Sequence, residues 1–281
     1  MTLRSIAKRL LPVAVRRWLR ERTPGFLDGV RSLGRKTCTR RYLGFTLVYN
    51  RGNSLVHRLR QEPVFERELG EAMVADLTRT PGLFLDVGSN LGLMSLFVLS
   101  KLPHQKIFAF EPGPTQRRLL TETVSRNNLD DRVEIIGRAI GASSGRQTFF
   151  VHRSADVAKD GLVDTGRSDI AERIEVEVET LDRWWAAAGK PEVSVIKVDT
   201  EGAEKLVFDG AREMITATRP AIYFEMEESN LRSYPYDAPD VLGSIARIGY
   251  GFSTLDGEPV TVETLAKAMG TADTFRAFSK T

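Results

Sequence analysis

The sequence predicts an α/β fold built on a doubly wound, largely parallel sheet. A short apolar strand, Leu83 to Val87, leads into a loop that carries Gly88 and Gly92 and then into a long apolar helical run. Further apolar strand patterns alternate with helical patterns along the chain, as they do in βαβ units. Two apolar stretches near the end, Tyr250 to Thr254 and Thr274 to Ser279, predict an antiparallel edge pair. In sheets of this kind, ligands bind beyond the carboxyl ends of the strands.

The bulk composition is that of a globular protein, with 42% hydrophobic and 27% charged residues over 281 positions. The single cysteine, Cys38, excludes an internal disulfide and any zinc site made of several cysteines. A reducing, cytoplasmic setting is therefore expected. No apolar run approaches the roughly 20 residues that a membrane-spanning helix needs.

Charge is distributed unevenly along the chain. Residues 1–41 hold twelve Lys or Arg against Glu21 and Asp28, a net of +10, whereas the remainder carries a net of −7. The acidic body argues against a nucleic-acid-binding catalytic face. Residues 2–22 read as an amphipathic helix interrupted at Pro12, too short in its apolar stretch for a secretory signal. Two interpretations remain open: packing on the domain or a partner subunit, or peripheral contact with an anionic membrane surface, such as the inner face of the cell membrane.

Three regions are predicted: a basic helical arm over 1–41, a cap over 42–80, and the main domain over 81–281. In the cap, Tyr42 to Tyr49 alternates weakly like a short strand, and Val64 to Leu77 has a helical period. The apolar face of that helix consists of Phe65, Leu69, Met73 and Leu77. Its polar member Glu66 is expected to be solvated.

The main domain continues with regular alternation of strands and helices. The further strands are expected at Lys106 to Phe110, Val133 to Ile136, Val193 to Val198 and Ala221 to Met226. The helices are expected at Thr115 to Arg126, Ala203 to Thr218 and Pro239 to Ile248. An inserted hairpin is expected from Thr148 to His152 and Ile174 to Glu179, with a polar, mobile stretch between its strands.

The spacing of the glycine loop favours one class of ligand. A dinucleotide fingerprint would need glycines at positions 86 and 91, where the chain has Asp86 and Leu91. A carboxylate here would repel the pyrophosphate that a helix N-terminus otherwise attracts. It would attract a cationic ligand without phosphate, such as S-adenosylmethionine. The alternative is an ordinary turn between a strand and a helix.

Glu111 ends the second predicted strand, 23 residues after Gly88. An acid at this position usually accepts hydrogen bonds from both ribose hydroxyls of a bound nucleoside. The alternative is an acid that stabilises the N-terminus of the helix that follows Pro112.

A third group of residues breaks the apolar pattern of the central strands. Lys197 and Asp199 share one face of a strand that should be apolar on both faces, and Glu225 and Glu227 repeat this on the next strand. Carboxylates beside a lysine at adjacent strand ends indicate an acid/base or metal site. The alternative for Asp199 is a helix N-cap. For Glu201 and Glu204 a place in the first turn of the helix, which suits the helix dipole, is the favoured interpretation.

With these segments in view, the chain resembles the FkbM family of S-adenosylmethionine-dependent methyltransferases. The matching stretches, which span Thr80 to Glu227, are FLDVGSNLG at Phe84, FEPGP at Phe110, AIGASSG at Ala139, ETLDRW at Glu179 and IKVDTEGAEKLVFDGA at Ile196. The resemblance implies a class I methyltransferase (Rossmann-like) fold. It further implies O-methylation of a sugar, glycolipid, polyketide or other small hydroxyl acceptor.

The predicted sites follow from these motifs. The donor-binding set is Asp86, Gly88, Ser89, Asn90, Gly92, Glu111, Pro112 and Ala139. A hydroxyl is a poor nucleophile until it loses its proton, so Asp199 is predicted as the general base. Lys197 would orient it or stabilise an alkoxide, Glu225 would be a second carboxylate, and His152 is the alternative base. A divalent metal such as Mg²⁺ is left open, with Asp199 and Glu225 as candidate ligands.

Two other classes of function stay open at this point. The protein could be a non-catalytic module that binds S-adenosylmethionine, in which case Lys197, Asp199 and Glu225 would be structural. It could instead be a membrane-peripheral scaffold that uses its basic arm.

Overall fold

In the computed structural model, the residues described are 37–51, 53–152, 159–166 and 169–280. The helix predicted over residues 2–22 lies outside this part of the chain, as do 153–158 and 167–168 of the polar stretch in the inserted hairpin. Within the described ranges, no helix combines the length and the apolar character that crossing a bilayer would require.

The cap begins with an antiparallel hairpin. Strands β1 (Thr37–Tyr42) and β2 (Phe45–Asn50) pair through a turn at Leu43 and Gly44, whose φ angles are +48° and +92°. The prediction of one strand over Tyr42 to Tyr49 was therefore wrong, because the left-handed turn at Leu43 and Gly44 divides it. Strand β1 also spans the predicted boundary between arm and cap.

Two helices complete the cap. They are α1 (Ser54–Arg58) and α2 (Arg67–Arg79). The predicted apolar face of α2 and of the turn before it is buried. Its residues are Phe65, Leu69, Met73 and Leu77. This face packs on one side of the main sheet, as its period predicted.

The rest of the chain alternates strands and helices. In order, the elements are β3 (Leu83–Val87), α3 (Leu93–Lys101), β4 (Ile107–Phe110), α4 (Pro114–Arg126), β5 (Val133–Ile136), β6 (Ala139–Ile140), β7 (Gly145–His152), β8 (Ile170–Glu179), α5 (Leu181–Ala187), β9 (Val193–Val198), α6 (Glu204–Asp209), α7 (Arg212–Thr218), β10 (Ala221–Glu225), α8 (Glu228–Leu231), α9 (Ala238–Ala246), β11 (Tyr250–Thr254), β12 (Pro259–Val260), α10 (Val262–Met269) and β13 (Thr274–Ser279).

The main sheet has the predicted doubly wound architecture. Its strands lie in the order β12-β11-β13-β10-β9-β3-β4-β5, and the five from β10 to β5 are parallel. Strand β13 is antiparallel to both β10 and β11, which confirms the antiparallel edge pair. The chain order reverses between β3 and β9. A crevice therefore opens beyond the carboxyl ends of these two strands.

Two predicted elements have different bounds in the structure. The inserted hairpin of β7 and β8 is longer than expected, because its exposed polar residues continue the pairing as far as Gly145 with Val178 and His152 with Ile170. The stretch predicted to be loop up to residue 173 thus enters strand β8 at Ile170. This hairpin pairs with β6 in a small separate sheet.

The single helix predicted over Ala203 to Thr218 is instead two helices, α6 and α7, that meet at Gly210 and Ala211. A Cβ on Gly210 would collide with the carbonyl oxygen of Gly141, so the backbone between the two helices packs directly against the backbone at Gly141. The Asp182 carboxylate then accepts hydrogen bonds from the N–H groups of Glu213 (3.1 Å) and Met214 (2.8 Å), which caps the second helix.

Helices cover both faces of the sheet. On one face α2, α3, α4 and the β1–β2 hairpin pack with the apolar residues of β3 and β4, and on the other α5, α6, α7 and α9 pack with those of β9 and β10. The hairpin is fixed to α4 by side chains: Asn127 accepts from the N–H of Thr46 (2.8 Å) and Thr123 from that of Val48 (3.0 Å). These contacts attach the hairpin to the layer of helices on one face of the sheet.

Candidate active site

A cavity lies where the sheet topology predicts it, beyond the carboxyl ends of β3, β4 and β9. Most of the sequence-predicted site residues line it: Gly88, Ser89, Asn90, Glu111, Pro112, Ala139, Lys197, Asp199 and Glu225. Two members of the predicted donor-binding set, Asp86 and Gly92, do not line the cavity. They lie behind its wall.

Asp86 is fully buried at the end of β3. One of its carboxylate oxygens accepts a hydrogen bond from the Ser95 hydroxyl (2.5 Å), and the other lies 3.8 Å from the Lys197 ammonium. Burial raises the pKa of Asp86, although Lys197 and Ser95 oppose that shift. The direct attraction of a cationic ligand expected for this carboxylate is replaced by an internal contact with a lysine.

The two loop glycines are required by close packing within the protein. Gly88 has a φ of +77°, and a Cβ there would overlap the backbone carbonyl of Asp199. Gly92 has a φ of +76°, and a Cβ would lie 2.5 Å from a methyl carbon of Leu120 on α4. Gly88 therefore allows the loops after β3 and β9 to touch, and Gly92 allows α3 to approach α4.

Glu111 is held in place by the loop that follows β3. Its two carboxylate oxygens accept hydrogen bonds from the backbone N–H groups of Asn90 (2.8 Å) and Gly113 (2.7 Å). Burial nevertheless raises the pKa of Glu111 to about 7. Each oxygen keeps further acceptor capacity, so a fixed carboxylate is available to two donors of a ligand.

Lys197 organises the centre of the site. Its ammonium donates to the carbonyl oxygen of Gly88 (3.0 Å) and to the carboxylate of Asp199 (2.9 Å), with Asp86 behind it. Burial by itself lowers the pKa of Lys197, but the two carboxylates outweigh it and the net pKa is raised. The lysine is therefore a charged group that holds Asp199, and it donates two hydrogen bonds within the protein.

Asp199 is not a helix cap, since the helix that follows has Ala203 at its N-cap position. Its side chain is 36% exposed, against 8% for Lys197, so it is the member of the pair that faces the cavity. The Glu225 carboxylate on the adjacent strand lies within 4.8 Å of that of Asp199. Burial first, and the Asp199 charge next, raise the pKa of Glu225 well above its usual value.

The carboxylates of Asp199, Glu201 and Glu225 approach each other closely enough to offer a cation three oxygens within 4.8 Å of one another. Such oxygens are the ligands that Mg²⁺ prefers, but Mg²⁺ also requires near-octahedral geometry and keeps several waters. The raised pKa of Glu225 opposes the ionised form that a metal ligand requires. The geometry is thus compatible with either a proton or a cation between these groups.

Sequence reasoning missed the contribution of the cap. Leu55, Arg58, Phe65 and Glu66 line the cavity, although Glu66 was expected to be solvated. Glu66 is the residue before α2, where its φ is +42° and its side chain makes no capping hydrogen bond. Burial, with the nearby Asp199 charge, raises its pKa to about 7. A non-glycine residue in a left-handed conformation is a signal only the structure reveals.

The inserted hairpin also reaches the cavity, through Asp160, Gly161 and Leu162. The alternative base His152 does not line it: its side chain is fully buried, with Nδ1 3.5 Å from the carboxylate of Asp160. His104 lies in a turn before β4, remote from the carboxyl ends of the strands. Among the described residues, the charged side chains that line this cavity are Lys197, Arg58, Arg138 and a larger number of carboxylates.

The lining fits a nucleoside that carries no phosphate. Glu111 presents a fixed carboxylate, the buried amide oxygen of Asn90 makes no hydrogen bond within the protein, and an apolar wall of Ala139, Phe149 and Leu162 lies on the same side. Asp199 and Glu225 lie where β9 and β10 end, across β3 from Glu111 at the end of β4. The arrangement can hold a methyl donor at one end and a proton acceptor at the other.

A protein-family model and several methyltransferases are similar to this chain in sequence. The model of the methyltransferase FkbM domain matches residues 86–252, more than half of the chain. The 2-O-methyltransferase NoeI of Sinorhizobium fredii is 28% identical over 196 residues, which cover 63% of this chain and 79% of NoeI. The 31-O-demethyl-FK506 methyltransferase FkbM of Streptomyces tacrolimicus is 26% identical over 202 residues, which cover 62% of this chain and 74% of that protein.

A solved methyltransferase FkbM from Methylobacillus flagellatus is 18% identical with a TM-score of 0.45. The match covers 70% of this chain and 43% of that one, so it spans less than half of the solved protein. The family assignment depends on the domain match, which includes the Asp86 loop, Glu111 and the strand that ends at Asp199. The chain belongs to the FkbM family of S-adenosylmethionine-dependent methyltransferases.

Proposed function

We propose that this protein O-methylates a hydroxyl of a small-molecule or glycan acceptor. The observation that carries the proposal is the Asp199 carboxylate, which Lys197 holds at 2.9 Å and which faces the cavity at the end of β9. The two named relatives, a 2-O-methyltransferase and a 31-O-demethyl-FK506 methyltransferase, support an oxygen acceptor. Neither identifies the acceptor of this chain.

In this proposal Glu111 binds the ribose hydroxyls of the donor, and the backbone of Gly88, Ser89 and Asn90 lies along it. S-adenosylmethionine, when bound, supplies a methyl group on a positively charged sulfur. Pro112 and Ala139 would pack against the nucleoside, since both line the cavity beside Glu111. Asp86 and Gly92 act indirectly, one through Lys197 and the other by fixing the start of α3.

Asp199 would receive the acceptor proton. As the acceptor oxygen forms its bond to the methyl carbon, the bond from that carbon to the donor sulfur would break and leave a neutral thioether. The O–H proton would pass to the free lone pairs of the Asp199 carboxylate, so the oxygen never carries a full positive charge. Lys197 is a positioning residue, because its ammonium donates a hydrogen bond to Asp199 and fixes the orientation of that carboxylate. Glu225, whose pKa is raised by burial and by the Asp199 charge, lies on the other side of Asp199.

The cap is proposed to form the acceptor end of the cavity. Phe65 and Leu55 supply apolar surface and Glu66 an acceptor for a second hydroxyl, while Arg58 is drawn towards Glu62 (2.9 Å) and Glu66 (3.4 Å). The excess of carboxylates here disfavours an acceptor that carries phosphate or carboxylate groups. A neutral, polyhydroxylated acceptor suits this surface, and nucleic acid does not.

The test combines donor binding with methyl transfer. Calorimetry should show that the wild type binds S-adenosylmethionine and that Glu111→Ala weakens binding by about 1–3 kcal/mol, the cost of unsatisfied polar groups. Glu122→Ala, at a half-buried acid on α4 that pairs with Arg126, is the matched control and should bind normally. Radiolabelled methyl transfer to a panel of neutral glycosides and to cell extract then tests the reaction.

Transfer to oxygen supports the proposal, and transfer only to nitrogen or carbon contradicts it. Donor binding with no transfer to any fraction of the extract would instead favour a non-catalytic donor-binding module. Activity lost on dialysis against chelator and restored by Mg²⁺ would assign Asp199 and Glu225 to a metal. Activity that resists chelator would assign them to the proton.

A further inference from the structure

The inserted hairpin places one carboxylate in the donor half of the cavity. Its described loop, residues 159–166, is attached to β7 by two backbone hydrogen bonds between Phe150 and Gly161, at 2.8 and 3.2 Å. A Cβ added to Gly161 would lie 3.6 Å from the Cβ of Glu201, in the loop after β9. The segment therefore crosses from the small sheet to the main sheet beside the cavity.

Asp160 is the fixed point of this segment. Its side chain is 6% exposed, and its two oxygens accept from the backbone N–H of His152 (2.7 Å) and from the Gln116 amide (2.7 Å). Gln116 belongs to the first turn of α4 and lines the cavity with Asp160. A buried carboxylate that is held by two fixed donors keeps its remaining lone pairs in a defined direction.

A continuous polar rim connects Asp160 to Glu111. A Cβ on Gly113 would lie 2.7 Å from the amide oxygen of Gln116 and 2.8 Å from a carboxylate oxygen of Glu111, so these two side chains approach the same point. The negative charge of Asp160 also acts on Glu111. Asp160 thus lies one side chain beyond the carboxylate proposed to bind ribose.

The surface next to this rim is apolar. Ala139, Phe149 and Leu162 pack in one cluster and line the same part of the cavity. An apolar surface beyond a ribose-binding acid suits a flat heterocycle, and a carboxylate at its edge suits an N–H donor of that heterocycle. A carbonyl at the same place would face the carboxylate with like partial charge.

We infer that Asp160, oriented by Gln116, accepts a hydrogen bond from the exocyclic amine of the donor's adenine and so selects an adenine-bearing donor. The inference depends on the proposed function, since it assigns a residue to the donor site. It makes the hairpin insertion part of donor recognition. The competing role for Asp160 is purely structural, as an anchor that holds the loop to β7.

The test compares S-adenosylhomocysteine with S-inosylhomocysteine, in which a carbonyl replaces the amine. Calorimetry on the wild type should give at least about tenfold tighter binding of the adenine compound, as expected for one mispaired polar group. Asp160→Asn, whose amide can donate to a carbonyl, should bring the two affinities within about threefold of each other. Asp164→Asn, in the same loop with its carboxylate on the N–H of Gly166 (2.9 Å), is the matched control and should keep the wild-type ratio.

The outcomes separate the alternatives. Equal weakening of both compounds in Asp160→Asn, or an unchanged ratio, would overturn the inference and leave Asp160 as a loop anchor. If Asp160→Asn does not fold, Gln116→Leu replaces it, and a wild-type ratio in that variant would likewise overturn the inference. A wild type that binds neither compound would overturn the proposed function itself.

Discussion

At the scale of single residues, the site is organised by one buried cation. The Lys197 ammonium contacts Gly88, Asp199 and Asp86, which belong to two neighbouring strands and the loop between β3 and α3. A buried charge is stable only when paired and hydrogen-bonded. The lysine therefore couples the stability of the central strands to the position of the proposed base.

Asp199→Asn should separate catalysis from binding. The amide preserves the size of the side chain but removes the charge that receives the acceptor proton. Donor affinity should stay within about threefold, while turnover falls by about 10²–10⁴, the range for a lost general base. Calorimetry and radiolabelled transfer measure the two effects. Asp209→Asn, an acid on α6 paired with Lys205 and Arg212, is the control, and a normal rate in Asp199→Asn would rule out the base.

Lys197→Met should destabilise the fold. It leaves the fully buried Asp86 without a cation, so the free energy of unfolding should fall by about 3–5 kcal/mol at pH 8. The loss should be smaller at pH 5.5, where Asp86, whose pKa burial raises, can take a proton. Denaturant unfolding measures both. Lys205→Met, from a pair nearer the surface, should cost less than about 1 kcal/mol. Equal effects of the two substitutions would contradict the central role of Lys197.

Donor binding should depend on pH through Glu111. Its pKa of about 7 means that much of it is protonated below neutrality, whereas two hydroxyl donors favour the ionised form. Binding should therefore release a proton, and affinity should rise with pH below about 7, by up to about tenfold per unit. The charged groups that act on Glu111 are Asp160 and Lys197. Burial raises the pKa of Asp160 to about 7 as well, so both carboxylates titrate in this range. Calorimetry of S-adenosylhomocysteine in buffers of different ionisation enthalpy counts the protons released, and Glu111→Gln should remove the part that Glu111 contributes.

At the scale of elements, an ion network attaches the cap helix to the sheet. Asp76 on α2 accepts from the Tyr223 hydroxyl of β10 (2.7 Å) and from the Arg276 guanidinium of β13 (2.9 to 3.1 Å). These contacts join residues up to 200 positions apart in the chain. They hold α2, and with it Glu66 at its start, in a fixed relation to the cavity.

Asp76→Asn should loosen that attachment. The change leaves the partly buried Arg276 without its carboxylate, and since solvent reaches the arginine, the expected loss is about 2–3 kcal/mol. Denaturant unfolding measures the loss, and acceptor-dependent turnover should fall more than donor affinity. Asp131→Asn, on an exposed acid, is the control and should leave the unfolding midpoint unchanged. Unchanged stability in Asp76→Asn would show that apolar packing alone positions α2.

At the scale of the whole molecule, the charge asymmetry predicts a peripheral contact. Residues 1–41 carry a net of +10, and the rest of the chain a net of −7. We propose that residues 1–22 bring the enzyme to an anionic membrane surface or a lipid-linked acceptor. Flotation with anionic vesicles should show binding that weakens with salt and is lost when residues 1–22 are deleted. Equal flotation of the shortened protein, or equal binding to neutral vesicles, would contradict the proposal.

Local patterns were sufficient to predict most of the architecture. The strands Leu83–Val87, Val133–Ile136 and Val193–Val198 have the predicted bounds. The first and the last of them are mostly buried on both faces, and such a strand is a short apolar run with polar ends. The loop glycines and Glu111 were recognisable by their spacing after such strands. The predicted break in the pattern at Lys197 and Asp199 coincides with the cavity.

Contacts between residues far apart in the sequence determined the features that local patterns did not predict. The break between α6 and α7 depends on Gly141 and Asp182, which are remote in sequence, so no helical period could reveal it. Glu66 and Asp160 reach the cavity only because the cap and the inserted hairpin fold back over the strand ends. Asp86 does not line the cavity; it is buried behind Lys197, whose ammonium lies between Asp86 and Asp199. The sequence by itself determined the sheet, the donor loop and the family motifs. Tertiary packing determined which carboxylates lie next to each other in the cavity, because side chains far apart in the chain become neighbours only when the sheet forms.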